Sequence, residues 1–273
     1  MAVSRFYASV SFKQGAPSPS ACARQLKCSE KPVTRCFKIW RSIECTAGDV
    51  MARKQTLRGN LEVDGHSMGT IVVSATNPFH RKTIDEAKAR KPQGRDKHLK
   101  DYSKIKTWLM HVRVAGCMQR AGLAVIRPMP QKVVPLGSSP PKESLADIKA
   151  AQVQNRGTKG SFVFGDGAKC FENEAALLQQ HYESVSHAQL QFVKEIPEPK
   201  PGQSSLAGTQ AIDSTWEFLD KYSAGIKVST KMDGRTVVNP QVWVYMYSFV
   251  WRLNMQRAGE DLWVSLGALC KCL

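Results

Sequence analysis

The sequence predicts an α/β chain: a mixed sheet flanked by helices, with a small helical segment ahead of it. Three observations predict it. Short apolar runs bounded by glycine, such as Leu61–Val63 with Ile71–Val73 and Ser161–Phe164, have the look of buried strands. Stretches with apolar residues at helical spacing separate them. Apolar residues make up 42% of the 273, enough for one ordinary catalytic domain and a small appendage.

Taken in order, residues 1–19 hold Arg5, Lys13, several serines, two prolines and no acid, and are expected to be a disordered leader. From residue 20 to 47 the pattern tightens. Ser29 suits a helix N-cap, and Val33, Phe37, Trp40 and Ile43 follow at helical spacing, so the segment is similar to a helix-turn-helix. In that motif the second helix enters the major groove, which would turn Lys31, Thr34, Arg35 and Lys38 toward DNA. A basic amphipathic helix packed on the main domain accounts for the pattern equally well. Gly48 to Gly59 is linker-like, and the main domain is expected over 56–273.

Within that domain, 61–73, Thr107–Ala115 and Leu123–Ile126 should form a three-stranded meander, the last two joined by the turn at Arg120–Gly122. In the second, alternation puts Trp108, Met110, Val112 and Val114 on one face. The intervening 79–106 carries ten Lys and Arg against four acids, and is expected to be a basic insertion rather than core. Arg90, Lys91 and Arg95 there are candidate phosphate contacts, although charge runs also mark solvated loops. Prolines at 140 and 141 open a crossover helix that feeds a parallel strand at 161–166. A helix over Glu172–Tyr182, an edge strand over Ser184–His187, a Pro/Gly/Ser-rich loop over 197–205 and a helix through Asp213 complete the domain. The stretch from Pro240 to Trp251 is apolar on too many sides for a surface helix and should pack across the sheet.

Three acids stand out. Asp64 lies in Leu61-Glu-Val-Asp-Gly, where burying a charge costs several kcal/mol without a partner. Asp166 ends the apolar strand Phe162-Val-Phe-Gly-Asp-Gly. Asp213 sits beside Ile212, Trp216 and Leu219 at helical spacing, on a neighbouring face. Two strand-borne carboxylates and one helix-borne carboxylate can converge on a pair of Mg²⁺ or Mn²⁺ ions, which at roughly 3.5–4 Å apart clamp the attacking and leaving oxygens of a phosphoryl transfer. Asp beside Gly is also common turn chemistry.

Leu61-Glu-Val-Asp-Gly, Phe164-Gly-Asp-Gly-Ala, Val185-Ser-His187 with Gln191-Phe-Val-Lys194, and Gly208-Thr-Gln-Ala-Ile-Asp-Ser-Thr-Trp216 together resemble, in order and spacing, DDE transposases of the insertion-sequence XO-two-like family. The likeness runs from about residue 20 to the C-terminus. It implies an RNase H-like fold, to which the order of three antiparallel strands, helix, strand, helix, strand, helix also corresponds. It further implies DNA strand cleavage and transfer with Mg²⁺ or Mn²⁺, and Asp64, Asp166 and Asp213 as catalytic metal ligands. Asp213 stands where many relatives carry Glu, and Gln210, the auxiliary residue beside it, where many carry Asn. His187 is a candidate accessory group for a proton or a phosphate. Lys194 and Lys221 are candidate phosphate contacts, Lys221 lying one position beyond the place where relatives carry a basic residue and this chain carries Asp220.

A net charge of +16 favours a polyanionic partner, duplex DNA first. A homodimer is compatible with this. No membrane is expected, since no run of eighteen apolar residues occurs. The eight cysteines lack Cys-x-x-Cys spacing and are expected to be reduced thiols of an intracellular, in a eukaryote nuclear, protein rather than zinc ligands. Two other functions compete: a catalytically weakened, transposase-derived DNA-binding protein, and an RNA-binding basic protein. The last explains the charge but not the acids.

Overall fold

The computed structural model describes residues 2–90, 101–120, 122–185, 193–197 and 204–271. The chain forms α1 (Ala2–Ser9), α2 (Pro19–Gln25), α3 (Glu30–Lys54), β1 (Asn60–Ser74), α4 (Arg81–Lys88), β2 (Thr107–Gln119), β3 (Ala124–Pro128), β4 (Lys132–Pro135), α5 (Leu145–Ala151), β5 (Phe162–Gly165), α6 (Lys169–Leu177), β6 (His181–Ser184), β7 (Val193–Pro197), β8 (Ser204–Gly208), α7 (Gln210–Ser223), β9 (Ser229–Met232), β10 (Arg235–Val238), α8 (Gln241–Arg257) and α9 (Leu262–Lys271). The main sheet runs β3-β2-β1-β5-β6, with β4 also pairing β2. β1 and β2 are antiparallel, whereas β1, β5 and β6 run parallel. The expected mixed sheet with flanking helices is thus present, including the meander, the α5 crossover and the packed C-terminal helix.

Helices cover both faces because β1 and β2 alternate. Leu61, Val63, Ala115 and Cys117 pack with Ile148 of α5 and Phe171 of α6. Val114 and Met118 turn the other way, toward Ile212, Trp216 and Leu219 of α7 and Phe249 and Leu253 of α8. A register shift between Ser67 and Gly69 changes the parity along β1. Beyond it, Ile71 and Val73 join a separate cluster with Trp108, Met110 and Ile84 rather than the cluster holding Leu61 and Val63.

Several expectations change. Residues 2–14 are not a disordered leader: α1 and the 3-10 turn Phe12–Gln14 are folded, with Tyr7 and Phe12 buried. Tyr7 donates its hydroxyl to Glu44 at 2.7 Å, Glu44 pairs with Arg252 at 2.8 Å, and Arg252 also donates to the carbonyls of Tyr7 and Val10. The side chains of that ion pair are fully buried, so α1, α3 and α8 hold one another through charge as well as apolar contact. Nor is Gly48 a linker residue. It lies inside α3, and a Cβ there would stand 2.0 Å from the carbonyl oxygen of Tyr247, so glycine permits the close crossing of α3 on α8. The segment 20–47 is therefore continuous with the main body. Part of 79–106 is core, since Ile84, Ala87 and Tyr102 are buried. The helix expected over 172–182 is α6, ending at Leu177, and the following strand begins at His181.

The seven described cysteines are free thiols. Among the described residues, no helix is long and apolar enough to cross a membrane.

Candidate functional site

β1 and α7 meet along three successive contacts. Side chains two apart on a strand share a face, and residues four apart on a helix lie one above another, so Glu62, Asp64 and His66 face the residues at the start of α7, Trp216 and Asp220. Buried Glu62 accepts the backbone N–H groups of Ala211 and Ile212 on one oxygen, at 2.8 and 2.9 Å, which satisfies two otherwise orphaned donors of the helix start. Its other oxygen is buried without a partner. Trp216 donates its indole N–H to Asp64 at 2.8 Å. The same indole stacks on His66 with centroids 5.0 Å apart and planes 10° apart, while His66 Nε2 lies 2.9 Å from Asp220 Oδ1. Gly116, opposite Asp64 on β2, makes room for the indole: a Cβ there would stand 2.6 Å from its Cη2.

The strand order gathers two of the acids. Glu62 pairs with Phe164 in the parallel ladder, so Asp64 and Asp166 each lie two residues beyond that pair on neighbouring strands. Asp213 lies in the first turn of α7, exposed beside buried Ile212 and Trp216, on the face expected of it. Burial pushes the Asp64 carboxyl up to about 7, and the negative charges of Asp166 and Asp213 add to this, whereas the Trp216 N–H and the Gly65 amide oppose it. Glu62 is raised as well, by burial above all, against the pull of the two α7 amides and Arg120. Asp64 therefore feels the charges of both other aspartates.

Their side chains nevertheless point to separate partners. Asp166, exposed, accepts the Ala168 amide at 3.1 Å in a turn whose Gly167 has φ +87°, and Asp213 accepts the Thr209 hydroxyl at 3.1 Å. Among the described residues, no group of three or more His, Cys, Asp and Glu stands close enough to hold a metal ion. As donors, three carboxylates suit a hard cation such as Mg²⁺ or Mn²⁺; the Asp64 carboxyl is raised first by burial, and the smaller contributions from the charges of Asp166 and Asp213 are ones a cation would offset. The fit is one of donor chemistry and charge, while Asp166 and Asp213 are held in local hydrogen bonds of their own.

Of the remaining candidates, Gln210 is exposed at the first position of α7. Lys221 is exposed and pairs with Glu217 at 2.6 Å, so Asp220 takes the sheet-facing place and Lys221 does not join the acids. Lys31, Arg35 and Lys38 are exposed on α3 and Thr34 is half-buried, opposite the helix face that buries Val33, Phe37, Arg41, Glu44 and Gly48. Arg90 is exposed just past α4. Lys91, Arg95 and His187, and the side chain of Lys194, lie outside the described residues. Sequence pattern does not single out Glu62, His66, Trp216 or Asp220 as members of the site. The signal is the match between positions 62, 64 and 66 on a strand and 212, 216 and 220 on a helix, visible only once the two are known to pack.

Compared with protein-family models, curated proteins and solved structures, the chain matches none.

Proposed function

We propose that this chain is a DDE-transposase-like protein with an RNase H-like fold, carrying out metal-dependent cleavage and transfer of DNA strands. One observation carries the proposal: Asp64, half-buried on the central strand β1, lies beside Asp166 at the end of its parallel neighbour β5 and under the start of α7, the helix that bears Asp213. The raised carboxyl of Asp64, shifted mainly by burial and further by the charges of Asp166 and Asp213, is in keeping with a functional acid. Asp64, Asp166 and Asp213 would hold Mg²⁺ or Mn²⁺, which when bound supplies charge neutralisation at the phosphate and activation of the attacking oxygen. The chain's own contribution is positioning. Trp216 fixes one oxygen of Asp64, and Glu62 fixes the start of the helix that bears Asp213. The exposed cations Lys31, Arg35 and Lys38 of α3 and Arg90 are suited to hold the phosphate backbone of duplex DNA, with the α2–α3 pair as a helix-turn-helix-like element.

A second reading, a DNA-binding protein with weakened or lost turnover, is favoured by the separate hydrogen bonds of Asp166 and Asp213. Nicking of supercoiled plasmid DNA distinguishes the two. Nicking with Mn²⁺ that EDTA abolishes, and that Asp64→Asn and Asp166→Asn each remove, is expected of the enzyme. DNA binding with no metal-dependent nicking identifies the second reading, and absence of both overturns the proposal.

A further inference from the structure

We propose that the hairpin β9–β10 is a second DNA contact, a preorganised basic ribbon that grips duplex DNA about half a helical turn away from the acids. This rests on the function proposed above and adds a surface to it.

The hairpin meets the core only at its base, where Val237 is buried and Val228 and Val238 pack against the cluster of Ile71 and Trp108. Every residue of β9 is exposed, and from Lys227 to Val238 only Val237 is buried. An isolated two-stranded hairpin is marginal in water, yet this one is held firmly. Asp233 and Gly234 turn it with φ of 48° and 71°, the left-handed pair that a tight two-residue hairpin requires. Asn77 donates its side-chain amide to the Thr236 carbonyl at 2.7 Å, Asn239 donates to the Lys227 carbonyl at 2.8 Å, and the Asn239 amide donates to Val228 at 2.8 Å. What this anchored ribbon presents is charge: Lys227, Lys231 and Arg235 are exposed against Asp233 alone, among Ser229, Thr230 and Thr236. A two-stranded ribbon has the width that a DNA major groove admits.

Two routes give its distance from the acids. Along β1, Asp64 to Gly69 is five residues, about 17 Å at strand rise, and a Cβ on Gly69 would stand 2.9 Å from Val228 at the base of the hairpin. Along α7, the ten residues from Asp213 to Ser223, where the chain leaves toward the hairpin, span about 15 Å. Both correspond to about four or five base pairs. Exposed Arg81 and Lys82 follow Asn77, which the hairpin's Thr236 carbonyl holds, by four and five residues in the chain.

The test uses the full chain and a labelled duplex of about 30 base pairs, roughly three turns, with anisotropy followed against salt. Replacing Lys227, Lys231 and Arg235 together by Gln should flatten the dependence of log affinity on log salt by about two to three units, and Asp233→Asn, which keeps the turn, should strengthen binding. A single strand of equal length should show little difference between parent and triple variant. An unchanged slope on duplex, or an equal change on single strand, overturns the ribbon while leaving the proposed function standing, provided the parent binds duplex. A parent that binds no duplex fails the functional proposal itself and the ribbon with it.

Discussion

Trp216 Nε1 donates to Asp64 Oδ2 at 2.8 Å, joining the middle of a helix to the middle of the central strand across 152 residues of sequence. The bond has a consequence for charge. It is the strongest of the local interactions that favour the ionised form of a carboxyl which burial otherwise holds up at about 7.

Trp216→Phe keeps most of the ring and removes the donor. Above pH 7 the variant leaves an ionised carboxylate without its indole, so unfolding free energy should drop by about 1–3 kcal/mol. At pH 5 Asp64 is protonated in the folded state, and the loss should be smaller. Urea unfolding at pH 5 and pH 8 measures both, and equal losses at the two would show that the indole acts by packing alone.

Asp64 itself should make the fold pH-dependent. Its folded value of about 7 lies above the ordinary 3.8, so between those values the folded state keeps a proton that the unfolded chain has released. Stability contributed by this group is therefore full below pH 4, falls as pH rises toward 7, and changes no further above it, with a limiting slope of about 1.4 kcal/mol per pH unit. Glu62 is shifted in the same direction and adds to the trend. Asp64→Asn should flatten the curve over pH 4–7, and Mg²⁺ or Mn²⁺ should raise the parent's melting temperature at pH 8 but not the variant's. A parent and an Asn variant with parallel curves would mean that Asp64 is not the titrating group.

What sequence shows of this fold follows range. Strand alternation in 107–115 and helical spacing around Ile212, Trp216 and Leu219 are local, and the elements stand where those patterns put them. The helix at 2–9 is too short to announce itself. Its burial comes from Glu44 and Arg252, more than thirty and more than two hundred residues away. Gly48 reads as a break because glycine is a poor helix former, whereas here the absence of a Cβ is what the α3–α8 crossing requires. The site divides similarly: Asp64, Asp166 and Asp213 are visible as acids in apolar company, but His66 meets Asp220 only because β1 packs under α7.

Gly48→Ala checks that crossing. On helix propensity alone alanine should gain about 1 kcal/mol. The added carbon would stand 2.0 Å from the Tyr247 oxygen and 2.8 Å from its carbonyl carbon, both backbone atoms that cannot move aside without displacing α8. A net loss of roughly 2–3 kcal/mol or more is expected. Gly267→Ala in α9 is the contrasting case, because nothing lies within 4 Å of its added carbon, and it should gain up to about 1 kcal/mol. Thermal unfolding of both variants decides it, and a neutral or stabilising Gly48→Ala would mean that α3 and α8 are not packed this closely.

Under the proposed function, the third acid decides how much activity the chain retains. Asp213 carries one methylene fewer than Glu, which shortens its reach by roughly 1–1.5 Å, and misplacement on that scale costs on the order of a hundredfold in rate. A moving backbone could close such a gap. The structure opposes that movement, because Glu62 holds the amides of Ala211 and Ile212 to β1 at 2.8 and 2.9 Å, one and two residues before Asp213. The helix start is pinned, so reach must come from the side chain, which the Thr209 hydroxyl now engages. Asp213→Glu should therefore raise metal-dependent nicking above the parent, and Asp213→Ala should abolish it. The parent should work better with Mn²⁺, whose octahedral demands are looser than those of Mg²⁺, and the advantage of Mn²⁺ should narrow in Asp213→Glu. Plasmid nicking by the three proteins in each metal measures this. If Asp213→Ala nicks as well as an active parent, Asp213 is not the third ligand. If Asp213→Glu is slower than the parent, the pinned helix already delivers the shorter side chain to the right place.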